Sequence, residues 1–192
     1  MRTKRTNQEL VLKIVVVGVL TAMSIGLSMI KLPITGVSVT LLLPVVIIGA
    51  ALYGPWVGAW LTVIPNVVAC FTEGALFFNW SPVGCVLTLL LKGILAGVAS
   101  GFIYKALSKK HPMVAITCSA IAAPILNSGV FLLGCYVFIW DHMVAEAVAE
   151  GYTAAAVLLG LGFNFVVELI LNIVLCPAIF KILQIVTKKK LV

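Results

Sequence analysis

Charge is scarce in this sequence. Only 10% of the 192 residues are Asp, Glu, Lys or Arg, and acidic residues number just 6. Soluble domains usually carry about 25% charged residues. The composition therefore excludes an ordinary water-soluble globule and, equally, a disordered charged chain. Catalytic signatures are missing as well. There is no HExxH, no GxSxG and no Gly-Lys dipeptide, hence no zincin, no nucleophile elbow and no Walker A loop. The two histidines, His111 and His142, fall in different connecting segments, predicted on opposite sides of a membrane, so they cannot share one active centre. None of the five cysteines (Cys70, Cys85, Cys118, Cys135, Cys176) forms a CxxC pair, which leaves no zinc or redox spacing. These features predict no catalytic residue, no metal site and no cofactor in this chain.

What the sequence has is apolar length: 62% of its residues are hydrophobic and its mean hydropathy is +1.22. Lipid is the solvent that such a chain fits. Crossing a hydrocarbon core of about 30 Å takes about 20 helical residues. Measured against that length, the chain predicts a single all-α membrane domain over residues 1–192, with helices at about 10–30, 39–52, 56–71, 83–107, 113–140 and 153–185. The second is short, and Tyr53-Gly54-Pro55 breaks the chain after it. The segments 31–38, 72–82 and 141–151 read as loops, with 72–82 a candidate re-entrant stretch and 141–151 acidic.

The basic residues sit in clusters at the ends of these runs. Arg2, Lys4, Arg5 and Lys13 lie at the first end, Lys105, Lys109 and Lys110 in the fourth connection, and Lys181, Lys188, Lys189 and Lys190 at the last end. With six spans all of these fall on one side, and only Lys31 of the connecting segments falls on the other. By the positive-inside rule the chain is a multi-pass plasma-membrane protein with both termini cytoplasmic. The same clustering explains the net charge of +7 without a nucleic-acid partner.

Polar side chains within spans are costly and mark functional candidates. Here they are Asn66, Lys92, Asn127, Ser128, Asn164, Glu168 and Asn172. The predicted topology puts Asn66, Lys92, Asn127, Asn164 and Glu168 from the midplane outward, as a pocket open to the outside for a small polar molecule requires. Asn164, Glu168 and Asn172 recur every four residues, forming one stripe on the last helix. The plain alternative is interhelical glue for the asparagines and an ion pair for Lys92 and Glu168. Gly18, Ala22 and Gly26 also recur every four residues and place a small-residue face on the first helix. That face suits either packing within the bundle or docking of a partner's helix.

Several stretches together resemble the substrate-binding (S) component of an energy-coupling factor (ECF) vitamin transporter. They are Gly18-x3-Ala22-x3-Gly26, the run LPVVIIG from Leu43 to Gly49 continuing into Tyr53-Gly54-Pro55-Trp56-Val57-Gly58-Ala59, KGILAGVASGFIY from Lys92 to Tyr104, and APILNSG from Ala123 to Gly129. The resemblance implies a six-helix substrate-capturing bundle that topples in the membrane. Its partners would be a membrane scaffold (T) subunit, docked on the first helix, and two cytoplasmic ATPases. Gly18 and Gly26 stand where the family's small-residue face more often carries alanine. Substrate-binding residues are then expected among Lys92, Asn127, Asn164, Glu168, Asn66 and Ser128. An intramembrane lysine among asparagines favours an anionic, amide-bearing vitamin such as pantothenate, with riboflavin second. Outside the family, an ion-coupled carrier using Glu168 is the competing reading.

Overall fold

The computed structural model describes residues 2–29, 32–34, 37–39, 41–72 and 75–189. Long helices dominate: α1 (Arg2–Met29), α2 (Leu42–Tyr53), α3 (Pro55–Phe71), α4 (Ala75–Trp80), α5 (Pro82–Leu107), α6 (Pro112–Phe138), α7 (Trp140–Ala149) and α8 (Ala154–Lys189). Four of them (α1, α5, α6 and α8) contain stretches long and apolar enough to cross a membrane, while α2 and α3 are shorter apolar helices. Between α1 and α2 two short strands, β1 (Leu32–Ile34) and β2 (Val37–Val39), pair antiparallel. The expected 31–38 loop is thus a hairpin over its described residues; Lys31, Thr35 and Gly36 lie outside them.

The 72–82 and 141–151 segments differ from expectation in a way that matters for the site. Each contains a helix. α4 occupies the first, although Glu73 and Gly74 lie outside the described residues. In the second, α6 ends at Phe138 and α7 begins at Trp140, so the predicted helix over 113–140 is two helices meeting at Ile139. The α7 sequence WDHMVAEAVA is rich in good helix formers. Asp141 in its first turn complements the helix dipole.

Packing order follows from side-chain size. At about 1.5 Å per residue, α2 is only about 18 Å long, yet Leu42, Leu43, Val45, Val46, Ile47, Gly49 and Ala50 are all buried. A helix apolar on every side belongs inside a bundle. α2 packs against α1, α3, α5, α6 and α8. On α5, Gly93, Gly97 and Gly101 line one face and let α3 come close. A Cβ on Gly97 would run into the backbone of Gly58, and a Cβ on Gly58 would lie 2.6 Å from the Gly97 carbonyl oxygen. Two side chains weld this contact. Thr62 Oγ1 donates to the Gly93 carbonyl (2.7 Å) and Asn66 Nδ2 to the Leu89 carbonyl (2.8 Å). Elsewhere Ser119 of α6 donates to the Ser100 carbonyl of α5 at 3.0 Å. Without water to compete, such bonds and small-residue contacts take over from the hydrophobic effect in holding helices together.

Candidate functional site

The site is built on α8. Its Asn164, Glu168 and Asn172 share one face, and Glu168 is only 4% exposed. A carboxylate removed from water needs compensating partners. Ser128 of α6 donates from Oγ to Glu168 Oε2 at 2.8 Å. The neighbouring Asn127 of α6 and Lys92 of α5 come to the same place, so that α5, α6 and α8 all bring polar groups to it. Asn172 turns back into its own helix, with Nδ2 donating to the Glu168 carbonyl at 2.8 Å. The carbonyl oxygen of Asn164 is buried without a hydrogen-bond partner.

Above this polar floor lies a cavity of about 490 Å³ lined by Lys92, Asn127, Ser128, Asn164 and Glu168. Its volume is within the range typical of small-molecule sites. Aromatic walls come from Phe77 and Trp80 of α4 and Phe131 of α6. The Lys92 ammonium sits 4.6 Å from the centre of the Phe131 ring, in cation–π contact. On the remaining side α7 contributes Met143, Glu146 and Ala147, with Glu150 at its end. The two short helices meet at the rim, where the rings of Trp80 and His142 stack with centroids 5.7 Å apart and planes 14° from parallel.

Five of the six side chains that the sequence singles out thus line one cavity. Asn66 does not. It is buried and bonded to Leu89 across the α3–α5 contact, and it borders a separate cavity of about 60 Å³ that Lys92 and Asn127 also touch. In the structure Asn66 joins helices. The sequence reading overlooked the α4 and α7 contributions, because it took both segments for loops. The available signal was Met143 and Ala147, and Glu146 and Glu150, each pair spaced i, i+4 within a helix-forming run.

The small-residue face of α1 points away from the bundle. Gly18, Ala22 and Gly26 are exposed, and a Cβ on either glycine would meet nothing within 4 Å. Among the described residues no group of three or more His, Cys, Asp or Glu could hold a metal ion.

Long apolar helices around a substrate-sized, polar-floored cavity define a multi-pass membrane protein of the solute-handling kind. The model of one family, the substrate-specific component of ECF transporters, matches residues 12–180, and the chain belongs to that family. Neither a curated protein nor a solved structure matches it. Substrate-specific components are non-catalytic substrate-binding subunits that associate with a T subunit and with ATPase subunits.

Proposed function

We propose that this chain is the high-affinity capture subunit of an ATP-driven ECF importer for a water-soluble vitamin, and that the vitamin sits in the cavity between α4 and α8. The observation that carries this reading is the convergence of Lys92, Asn127, Ser128, Asn164 and Glu168 from three helices on one cavity of about 490 Å³. Scattered structural polar groups would not share an aromatic-walled space. In this reading six helices span the plasma membrane, with α2 and α3 as the two short spans and both termini cytoplasmic. The one-sided distribution of Lys and Arg supports that orientation. The exposed Gly18, Ala22 and Gly26 face supports α1 as the dock for the T subunit, with two ATPases below. Pantothenate, held through Lys92, is the substrate that the sequence favours, and riboflavin is second. The ion-coupled carrier draws its support only from Glu168, and the family assigns energy coupling to other chains.

The test is to purify the chain from cells and identify any retained small molecule by mass spectrometry. A vitamin panel is then screened by thermal shift. A tight ligand at a thousandfold excess over Kd should stabilise the protein by about 4 kcal/mol. Uptake in reconstituted vesicles should require the T and ATPase subunits. Transport by this chain alone, without ATPases, would sink the proposal.

A further inference from the structure

We propose that the end of the bundle opposite the cavity holds headgroups of anionic phospholipids in the inner leaflet. The proposal goes beyond ligand capture and rests only on the cytoplasmic placement of that end. Three chain segments meet there. Tyr104 near the end of α5, Ile116 near the start of α6, and Ile179 and Leu183 near the end of α8 belong to one packed cluster. Sequence neighbours of these anchors carry the charge. Lys105 follows Tyr104, Lys109 and Lys110 lie in the turn before α6, and Lys181 sits between Ile179 and Leu183. All four lysines are exposed. No acidic residue occurs from 100 to 118 or from 176 to 192, so nothing in either segment neutralises them. Of the 6 acids in the chain only Glu9 belongs to this end, on α1, close in sequence to Lys13.

Charge alone would fit an acidic protein as well as a lipid, and exposed apolar groups decide between the two. On α8, Lys181, Ile182, Gln184 and Ile185 are exposed while Leu183 is buried, so lysine and isoleucine share one helix face. Beside the α5–α6 turn, Leu107, Met113 and Val114 are exposed next to Lys109 and Lys110. Side chains of both kinds at one level fit the boundary between acyl chains and headgroups, where apolar groups enter the membrane and ammonium groups reach phosphate. The length of α8 carries its last turns to that level. Its 36 residues span about 54 Å, against a hydrocarbon core of about 30 Å. Tilting absorbs only a small part of the excess. The anionic inner leaflet attracts lysines placed in this way.

The experiment uses the full chain in detergent, titrated with phosphatidylglycerol or with phosphatidylcholine, and counts bound lipid by native mass spectrometry. Phosphatidylglycerol should bind more tightly, and the difference should shrink as salt is raised. Combining Lys105→Gln, Lys109→Gln, Lys110→Gln and Lys181→Gln should weaken phosphatidylglycerol at least about tenfold, since each lysine at an anionic surface contributes up to about fivefold. Phosphatidylcholine should bind as before. The unfolding midpoint in detergent should stay unchanged, because all four side chains are exposed. Arginine at the same four positions should keep the preference. Equal affinity of the unaltered chain for both lipids overturns the proposal without recourse to any variant, and so does an undiminished preference in the glutamine variant. If that variant keeps its lipid preference but no longer assembles with the ATPase subunits, the face belongs to an acidic protein surface and the lipid assignment falls. A cysteine at position 109 that reacts with an impermeant maleimide in intact cells overturns the inner-leaflet assignment together with the orientation. Vitamin binding is measured separately, and neither result touches it.

Discussion

An ammonium among apolar helices must find negative charge or π-electron density; Lys92 has the Phe131 ring at 4.6 Å, and the Glu168 carboxyl group lines the same cavity. Removing one member of a buried charge pair typically costs about 3–5 kcal/mol, because the other is left uncompensated. Lys92→Met should therefore lower the thermal unfolding midpoint of the unliganded protein, and Lys92→Met with Glu168→Gln should recover much of the loss. If Lys92→Met leaves the midpoint untouched, the lysine is not the counter-charge of Glu168 and is available to a ligand carboxylate. Ser128 deserves a lesser penalty. Its hydroxyl is one of several partners of Glu168, and losing one hydrogen bond to a charged group costs about 1.5–3 kcal/mol. At this scale most of the site was legible from sequence alone, since a polar side chain in an apolar run announces itself. Its partners were not. Asn66 and Asn127 look alike in sequence, yet one bonds a helix backbone and the other lines the cavity, a difference set by helix rotation.

Two helices carry small residues at intervals of four and use them oppositely. On α5 the Gly93, Gly97 and Gly101 face is filled by Pro55, Gly58 and Thr62 of α3, whereas the Gly18, Ala22 and Gly26 face of α1 is open. Gly97→Ala should destabilise the isolated chain by about 1–3 kcal/mol, the usual cost of overpacking, because the backbone of Gly58 cannot move aside as a flexible side chain would. Ala22→Leu should leave folding and ligand affinity intact and prevent co-purification with the T subunit. Loss of ligand binding in Ala22→Leu would mean that α1 packs differently. The periodicity was readable on both helices. Which face was internal was not, because the pattern repeats identically whether the neighbour is in the same chain or another. The short helices failed for a different reason. α4 and α7 have 6 and 10 residues, too few for hydrophobic periodicity to separate helix from loop, and their sequences are flanked by the turn signals Gly74, Pro82 and Gly151.

The whole molecule has a direction. Lys105, Lys109 and Lys110 follow α5, and Lys181 lies near the end of α8, while the cavity rim carries Glu146 and Glu150. In the proposed orientation, with the basic clusters inside, the rim faces outside. A cysteine at position 146 should react with an impermeant maleimide in intact cells, and one at position 109 should react only after permeabilisation. Of the five native thiols, Cys70, Cys85, Cys135 and Cys176 are buried, and the partly exposed Cys118 is first replaced with serine. The reverse pattern would turn the cavity towards the cytoplasm and end its role in capture. The one-sided charge was plain in the sequence. The α4 and α7 walls of the cavity were not, since they arise from packing between segments far apart in the chain.

The contrast between floor and rim has a consequence for local unfolding. α7 has no buried residue and α4 has one, Phe77, whereas the helices beneath are pinned by interhelical hydrogen bonds. Segments with few buried contacts open at a small fraction of the global unfolding free energy. Amide hydrogens of 75–80 and 140–149 should therefore exchange with deuterium well before those of α2 and the middle of α5. Saturating ligand should slow exchange in the two rim helices and leave the already slow floor almost unchanged, so that the exchange map of a bound chain draws the outline of its cargo.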